Sequence, residues 1–195
     1  METVTELDMA TVSEVLSDAE SRMKKSVEFL RKELNSIRTG RANPALVENL
    51  TVDYYGVPTP LNQLATISVP EARVIMIQPW DKQALKEVER SILKSEMGLV
   101  PNNDGNVIRI NIPPLTEERR TELARLVARK VEEGHVAIRN IRRDGLEKFR
   151  EMERNKELSQ DEARRAQDQL QKLTNRYIQE MDQLRRQKEA EVMEV

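Results

Sequence analysis

From Thr116 to Arg154 the chain runs without a proline and with glycine only at positions 134 and 145. At 1.5 Å per residue such a stretch predicts one helix roughly 58 Å long, far beyond the ordinary globular length. Leu123, Val127, Val131, Gly134, Ile138, Ile141, Gly145, Phe149 and Met152 recur along it at steps of three and four. That spacing draws a single apolar stripe, the seam of a helical bundle or coiled coil. A helix of this length with one apolar stripe must find partner helices to bury it.

The opposite face is cationic. Advancing about 100° per residue, Arg125, Arg129, Arg139, Arg143, Arg150 and Arg154 fall within an arc of about 80° nearly opposite the seam. A charge stripe on a helix ordinarily marks a solvated surface, and Glu132 and Glu147 lie on this one. Two details point further. Between Gly134 and Arg143 the helix carries three arginines and no acid, with apolar Val136 among them. The cation chosen is arginine, whose planar fork of donors suits phosphate better than the point charge of lysine does. The face reads as a docking surface for an anionic polymer.

Two further long helices are legible. Val12 to Arg38 carries Leu16, Ala19, Met23, Val27, Leu30, Leu34 and Ile37 at helical spacing, with Gly40 beyond as a stop signal. After a turn at Asn155–Leu158, Ser159 and Glu162 form a capping box, with Leu158 set to staple onto Ala163. That helix runs to about Val192 on a seam of Ala163, Ala166, Leu170, Leu173, Tyr177, Met181 and Leu184. Residues 1–11 lack such periodicity and are expected to fray.

Between the first helix and the second the pattern changes. Prolines and glycines punctuate short β-type runs at Leu46–Tyr54, Ala65–Val69, Arg73–Gln78 and Val107–Ile112. In the last of these, isoleucines at 108, 110 and 112 alternate with Arg109 and Asn111, as in a half-buried strand. One short helix, Lys82–Glu96, is capped by Asp81 and presents Leu85, Val88 and Ile92 inward. Asn102–Asn106 reads as turn chemistry, since its spacing does not match a calcium loop. The expected fold class is therefore α+β: an antiparallel, coiled-coil-like three-helix bundle (12–39 and 115–195) with a small β/α/β domain inserted at 40–114. The chain would cross between them at Arg38-Thr39-Gly40-Arg41 and at Asn111–Thr116, which includes Pro113 and Pro114. Such crossings fit a hinge, and they fit a rigid corner equally well.

Composition limits the function classes. Lys+Arg 32 against Asp+Glu 34 leaves a formal net charge of −2, so any nucleic-acid contact must come from a local patch such as the arginine face. No cysteine is present, which excludes thiol nucleophiles, disulfides and cysteine zinc sites. No run approaches the ~18 apolar residues of a membrane span, and the acidic start METVTELDMATVSEV lacks the apolar core of a signal peptide. A cytoplasmic setting is expected. The one histidine, His135, has no triad partner in view, and no HExxH, P-loop or GxGxxG occurs. The sequence points away from an enzyme and implies no cofactor and no metal.

The stretch SIRTGRANPALVENLTVDYYGVPTPLNQLATISVPEAR resembles part of the bacterial ribosome-recycling factor family, as do IPPLTEERRTEL, VAIRNIRRDGLEK and the ending DQLQKLTNRYIQEMDQLRRQKEAEVMEV. The resemblance covers Val12 to Val195. It implies an L-shaped protein with a three-helix bundle and a β/α/β domain on a flexible corner. It further implies a monomeric translation factor that binds the post-termination ribosome. With elongation factor G and GTP hydrolysis by that factor, it would split the ribosome into subunits and release messenger and tRNA. The bundle would lie on large-subunit ribosomal RNA, with Arg139, Arg142 and Arg143 among its contacts; the helical wheel adds Arg129 and Arg125. The wheel sets Arg142 near the edge of the seam, where an ion pair bracing the bundle is the alternative role. Gly134, His135 and Gly145 depart from the family pattern, which has a small residue, an arginine and an alanine there. Each glycine is expected to cost about 1 kcal/mol relative to alanine. The alternative is a structural coiled-coil adaptor with an RNA-binding face. An adaptor would show the same three helices, but would need neither an arginine line free of acids nor the inserted module.

Overall fold

The long helices each begin with a side chain that caps the first turn. The computed structural model describes residues 11–194. Thr11, expected to lie in a frayed leader, instead caps α1 (Val12–Asn35). Its hydroxyl accepts from the Glu14 N–H at 3.1 Å, and the Glu14 carboxylate accepts from the Thr11 N–H at 3.3 Å. The rest of the leader reading lies outside the described residues. Thr116 caps α3 (Glu117–Arg154) through the N–H of Arg119 at 3.1 Å. Ser159 and Glu162 form the expected box before α4 (Gln160–Met193), with distances of 3.1 and 2.9 Å.

One compact unit comprises the residues up to Ile37 together with Thr121–Ala190. Here α1, α3 and α4 close a three-helix bundle. Its core takes Met23 and Leu30 from α1, Val127 and Ile138 from α3, and Leu170 and Met181 from α4. Pairs such as Arg22–Asp144 at 3.0 Å and Lys130–Glu33 at 2.9 Å run α1 antiparallel to α3.

The seams needed three corrections. Helix α1 ends at Asn35, not Arg38, because Ser36 turns its hydroxyl back to the Glu33 carbonyl at 2.6 Å while its N–H reaches Lys32 at 3.1 Å. Gly40 is therefore not the stop. Helix α1 also buries Val15, while Leu16 stays half-exposed. On α4, Leu173 and Leu184 lie at the margin of the seam, and buried Thr174 and Lys188 take core positions. Thr174 can do so because its hydroxyl donates to the Leu170 carbonyl one turn back, at 2.9 Å.

The second unit is Arg38–Arg120, joined by the end of α4 from Glu191 onward. A hairpin of β1 (Thr51–Tyr54) and β2 (Val57–Pro60) turns at Tyr55 and Gly56, with φ of 51° and 82°. A four-stranded antiparallel sheet follows in the order β3-β4-β6-β5, from β3 (Ala65–Glu71), β4 (Val74–Pro79), β5 (Pro101–Asn103) and β6 (Ile108–Asn111). Ile75 pairs with Ile110 and Ile77 with Ile108, and all four are fully buried. Helix α2 (Leu85–Lys94) adds Leu85, Val88 and Ile92 to the same core, as its spacing predicted. Asp81 caps its 3-10 lead-in by accepting from the Gln83 N–H at 2.9 Å. That contact first, and the Tyr55 hydroxyl next, hold the Asp81 carboxyl below its ordinary range.

Two edge strands escaped the sequence reading. Strand β2 contains Pro58 and Pro60, which a ladder tolerates only at an edge. Strand β5 lies inside the asparagine-rich segment read as a turn; the turn proper starts at Asp104, whose carboxylate accepts from the N–H groups of Asn106 and Val107 at 2.9 Å. The expected strand from Leu46 begins only at Thr51, because Asn43 caps a 3-10 turn over Pro44–Leu46.

The fold is thus α+β, a long three-helix bundle with an inserted β/α/β unit. The chain passes between the units at Ile37/Arg38, at Arg120/Thr121 and at Ala190/Glu191. Within the second unit Arg41 and Glu194 form an ion pair at 3.2 Å.

Candidate nucleic-acid interface

With the seam of α3 buried, the arginines fall where a helix turned over by half a revolution must put them. Arg125, Arg129, Arg143, Arg150 and Arg154 are exposed, and Arg139 and Arg142 are half-buried. Val136 is 44% exposed among them.

Partners divide the line. Among the described residues no carboxylate pairs with Arg125, Arg129 or Arg143. Arg150 and Arg154 share Glu147, at 3.9 and 3.1 Å. Arg139 lies 3.2 Å from Glu132, seven residues back. The interval from Gly134 to Arg143 has no acid in sequence, yet in space Glu132 reaches into it along the helix. Both side chains are about half exposed, at 42% and 59%, so the pair is weak and easily exchanged for another anion.

His135 is turned into the contact between α3 and α4. Its Nε2 lies 2.9 Å from Asp182 of α4 and its Nδ1 3.5 Å from Glu132, with the side chain only 14% exposed. Since a carboxylate only accepts, Nε2 carries a proton in this contact. The departure at 135 therefore braces α3 against α4.

Arg142 does brace the bundle, but not through an ion pair. Its terminal nitrogen donates to the Gln171 side-chain oxygen of α4 at 3.5 Å, and its buried Nε has no partner. The part played by Gln171 was not legible, because a contact between helices 29 residues apart leaves no mark in local spacing.

The two glycines of α3 set how closely α4 approaches. A Cβ on Gly134 would lie 3.0 Å from Met181 Sδ, and one on Gly145 only 2.8 Å from Leu170 Cδ2. Opposite, between α1 and α3, an open groove of about 400 Å³ is floored by Phe29, Leu30, Gly134 and Ala137. Lys25, Ser26, Glu33, Lys130 and Glu133 line its rim, where Lys130 pairs with Glu33 at 2.9 Å and with Glu133 at 3.7 Å. Among the described residues no cluster of three or more His, Asp or Glu could hold a metal ion, and no helix is long and apolar enough to cross a membrane.

The expected hinge residues all fall in the second unit. The Arg41 N–H reaches the Thr39 hydroxyl at 3.4 Å, and the β-position of Gly40 faces Leu115 at 3.6 Å and the Pro113 carbonyl at 3.9 Å. Arg38 and Pro114 flank these contacts.

Fold and face together define a class: a long helical bundle that carries an inserted α+β unit and a cationic ridge along its longest helix. A family model described as Ribosome recycling factor matches residues 30–193. The ribosome-recycling factor of Thermomicrobium roseum is 58% identical over 184 residues, 94% of this chain and 100% of that one. A solution structure of the ribosome recycling factor matches with a TM-score of 0.73 at 45% identity, covering 96% of this chain and 100% of that one. Models of the T. thermophilus ribosome recycling factor and E. coli elongation factor G bound to the E. coli post-termination complex match with a TM-score of 0.65 at 48% identity, covering 95% and 100%. The chain belongs to the ribosome recycling factor family.

Proposed function

We propose that this protein is a cytoplasmic, monomeric translation factor that binds the post-termination ribosome. Together with elongation factor G and GTP, it dissociates the ribosome into subunits and frees messenger and tRNA for reuse. It works by binding and displacement, with no catalytic residues and no cofactor of its own. The bundle docks on large-subunit ribosomal RNA through Arg125, Arg129, Arg139, Arg142 and Arg143. The inserted unit moves about Arg38–Arg41 and Pro113–Pro114. The observation that carries this reading is the pair Arg129 and Arg143, exposed on one face of α3 and without a carboxylate partner, in a chain of this family. Guanidinium groups left unpaired on a protein of net charge −2 are free to displace counterions from phosphate.

Co-sedimentation with purified large ribosomal subunits over a salt series tests it. The parent protein should pellet with the subunits in a salt-dependent way. Replacing Arg129 and Arg143 with alanine should leave helix content and melting unchanged. It should shallow the log–log salt slope by about 1 for each phosphate that is no longer neutralised. A double variant that pelleted like the parent across the series would remove these residues from the interface. A structural adaptor with an RNA-binding face would pellet with a similar salt dependence but would not split post-termination ribosomes in the presence of elongation factor G and GTP.

A further inference from the structure

Arg142 differs from every other arginine of the ridge in what it faces. It stands at the α3–α4 junction, half-buried, with Nε sealed from solvent and unpartnered. Its one described hydrogen bond is the long 3.5 Å donation to Gln171 Oε1. Gln171, exposed on α4, has a partner of its own: its side-chain nitrogen donates to Asn175 Oδ1, one turn on, at 2.9 Å. With the nitrogen committed to Asn175, the oxygen is the end of the amide presented to Arg142.

Helix α4 is able to offer a carboxylate to α3, and does so at Asp182, which meets His135 at 2.9 Å. Opposite Arg142 it offers an amide. The difference is physical. A carboxylate would orient the guanidinium and also cancel its charge, while an amide oxygen orients it and leaves the charge in place. Arg139 shows the other case, its charge matched by Glu132 at 3.2 Å. A half-buried guanidinium with one weak neutral acceptor retains most of its capacity to bind an anion, and partial desolvation strengthens that binding.

We propose that Gln171, held by Asn175, is a positioning residue that steers Arg142 onto a phosphate of the RNA backbone without neutralising it. The proposal rests on the reading of α3 as an RNA-binding face and adds α4 to that site.

The test is Gln171→Glu, alone and in an Arg142→Ala background, read by large-subunit co-sedimentation over a salt series and by thermal melting. The isosteric carboxylate should pair with Arg142, so melting stays at or above that of the parent. Affinity should fall about fivefold or more near 0.1 M salt, with the salt slope shallower by about 1. In the Arg142→Ala background the same change should cost nothing further. A merely structural glutamine would lower melting and leave the slope alone. Parental binding by Gln171→Glu overturns the proposal. So does a penalty that persists undiminished without Arg142, since the carboxylate would then act by direct repulsion. If binding depends on Arg129 and Arg143 but not on this change, the positioning role alone falls. If the parent shows no salt-dependent binding, the RNA-face reading falls and the positioning role with it.

Discussion

Leu170 of α4 lies so close over Gly145 of α3 that a β-carbon on the glycine would stand 2.8 Å from its Cδ2. Both residues are buried, and Leu170 is fully so. Helix propensity alone favours alanine at 145 by about 1 kcal/mol, whereas overpacking a filled core costs about 1–3 kcal/mol. Gly145→Ala should therefore destabilise the bundle by on the order of 1 kcal/mol, the reverse of what propensity implies. Thermal melting reads the sign, and Leu170→Val in the same chain should recover the loss by withdrawing the offending methyl.

Gly134 looks equivalent in the sequence and should behave differently. Its β-carbon would meet Met181 Sδ at 3.0 Å and Leu30 Cδ2 at 3.4 Å. Methionine has the rotamer freedom to give a few tenths of an ångström. Gly134→Ala should raise stability, by up to about 1 kcal/mol. Loss of stability of equal size at both glycines would show that Met181 is locked as firmly as Leu170.

Tyr177 ties α4 to α1. Its hydroxyl donates to the Glu20 carboxylate at 2.8 Å, and the Arg176 guanidinium lies 5.4 Å from its ring centre. Burial first, and the Glu20 contact second, push the phenol up to about 12 from an ordinary 10.0. A folded-state value above the unfolded one means that the protonated phenol stabilises the fold fully below pH 10. That contribution, on the order of 2 kcal/mol, is lost as pH climbs through about 12. Tyr177→Phe, which has no proton to lose, should flatten the fall of melting temperature between pH 10 and 12 while costing about 1 kcal/mol at neutral pH for the missing hydrogen bond. An unchanged alkaline profile would place the transition on another group.

Ile141 is 5% exposed in the seam of α3. Ile141→Ala should cost about 2–5 kcal/mol, and Leu173→Ala, at the margin of the α4 seam, distinctly less. Urea unfolding that gave equal losses would return Leu173 to the core.

The contrast at Leu173 indicates what the chain reveals before it folds. Periodicity located all three long helices and the inner face of α2, because a 3.6-residue repeat sustained over many turns has few competing explanations. Periodicity placed the stripe of α3 correctly and those of α1 and α4 only to within about one residue. Thr174 could replace Leu173 in the core because a hydroxyl satisfied within its own helix is nearly apolar to its neighbours. Strands β2 and β5 were missed for a related reason. Each is an edge strand rich in residues that ordinarily break ladders, and only the partner strand makes them strands. At the candidate interface the exposed arginines followed from the wheel. Their pairing did not, because the reach of Glu132 and the amide of Gln171 depend on side-chain length and on which helix lies alongside.

The hinge is the part of the proposal that a purely binding function would not need. Splitting a particle held by many contacts calls for a lever, and the proposed hinge at Arg38–Arg41 begins at the unit boundary Ile37/Arg38. Pro113 and Pro114 precede α3 and cannot extend it, since each fixes φ and lacks an N–H. The boundary between the units falls one turn inside α3, at Arg120/Thr121, and again near the end of α4 at Ala190/Glu191. A lever with three connections must yield at all of them together, so one covalent lock is enough to arrest it. The chain has no cysteine, which leaves a single engineered pair, one residue in each unit with Cα atoms within about 7 Å, free of competing disulfides. Oxidised protein should still bind large subunits with the parental salt slope, because the arginine face lies wholly within the bundle unit. It should fail to split post-termination ribosomes in the presence of elongation factor G and GTP, and reduction should restore splitting. A fully cross-linked protein that recycled ribosomes at the parental rate would show that force reaches the bundle without a swing between the units.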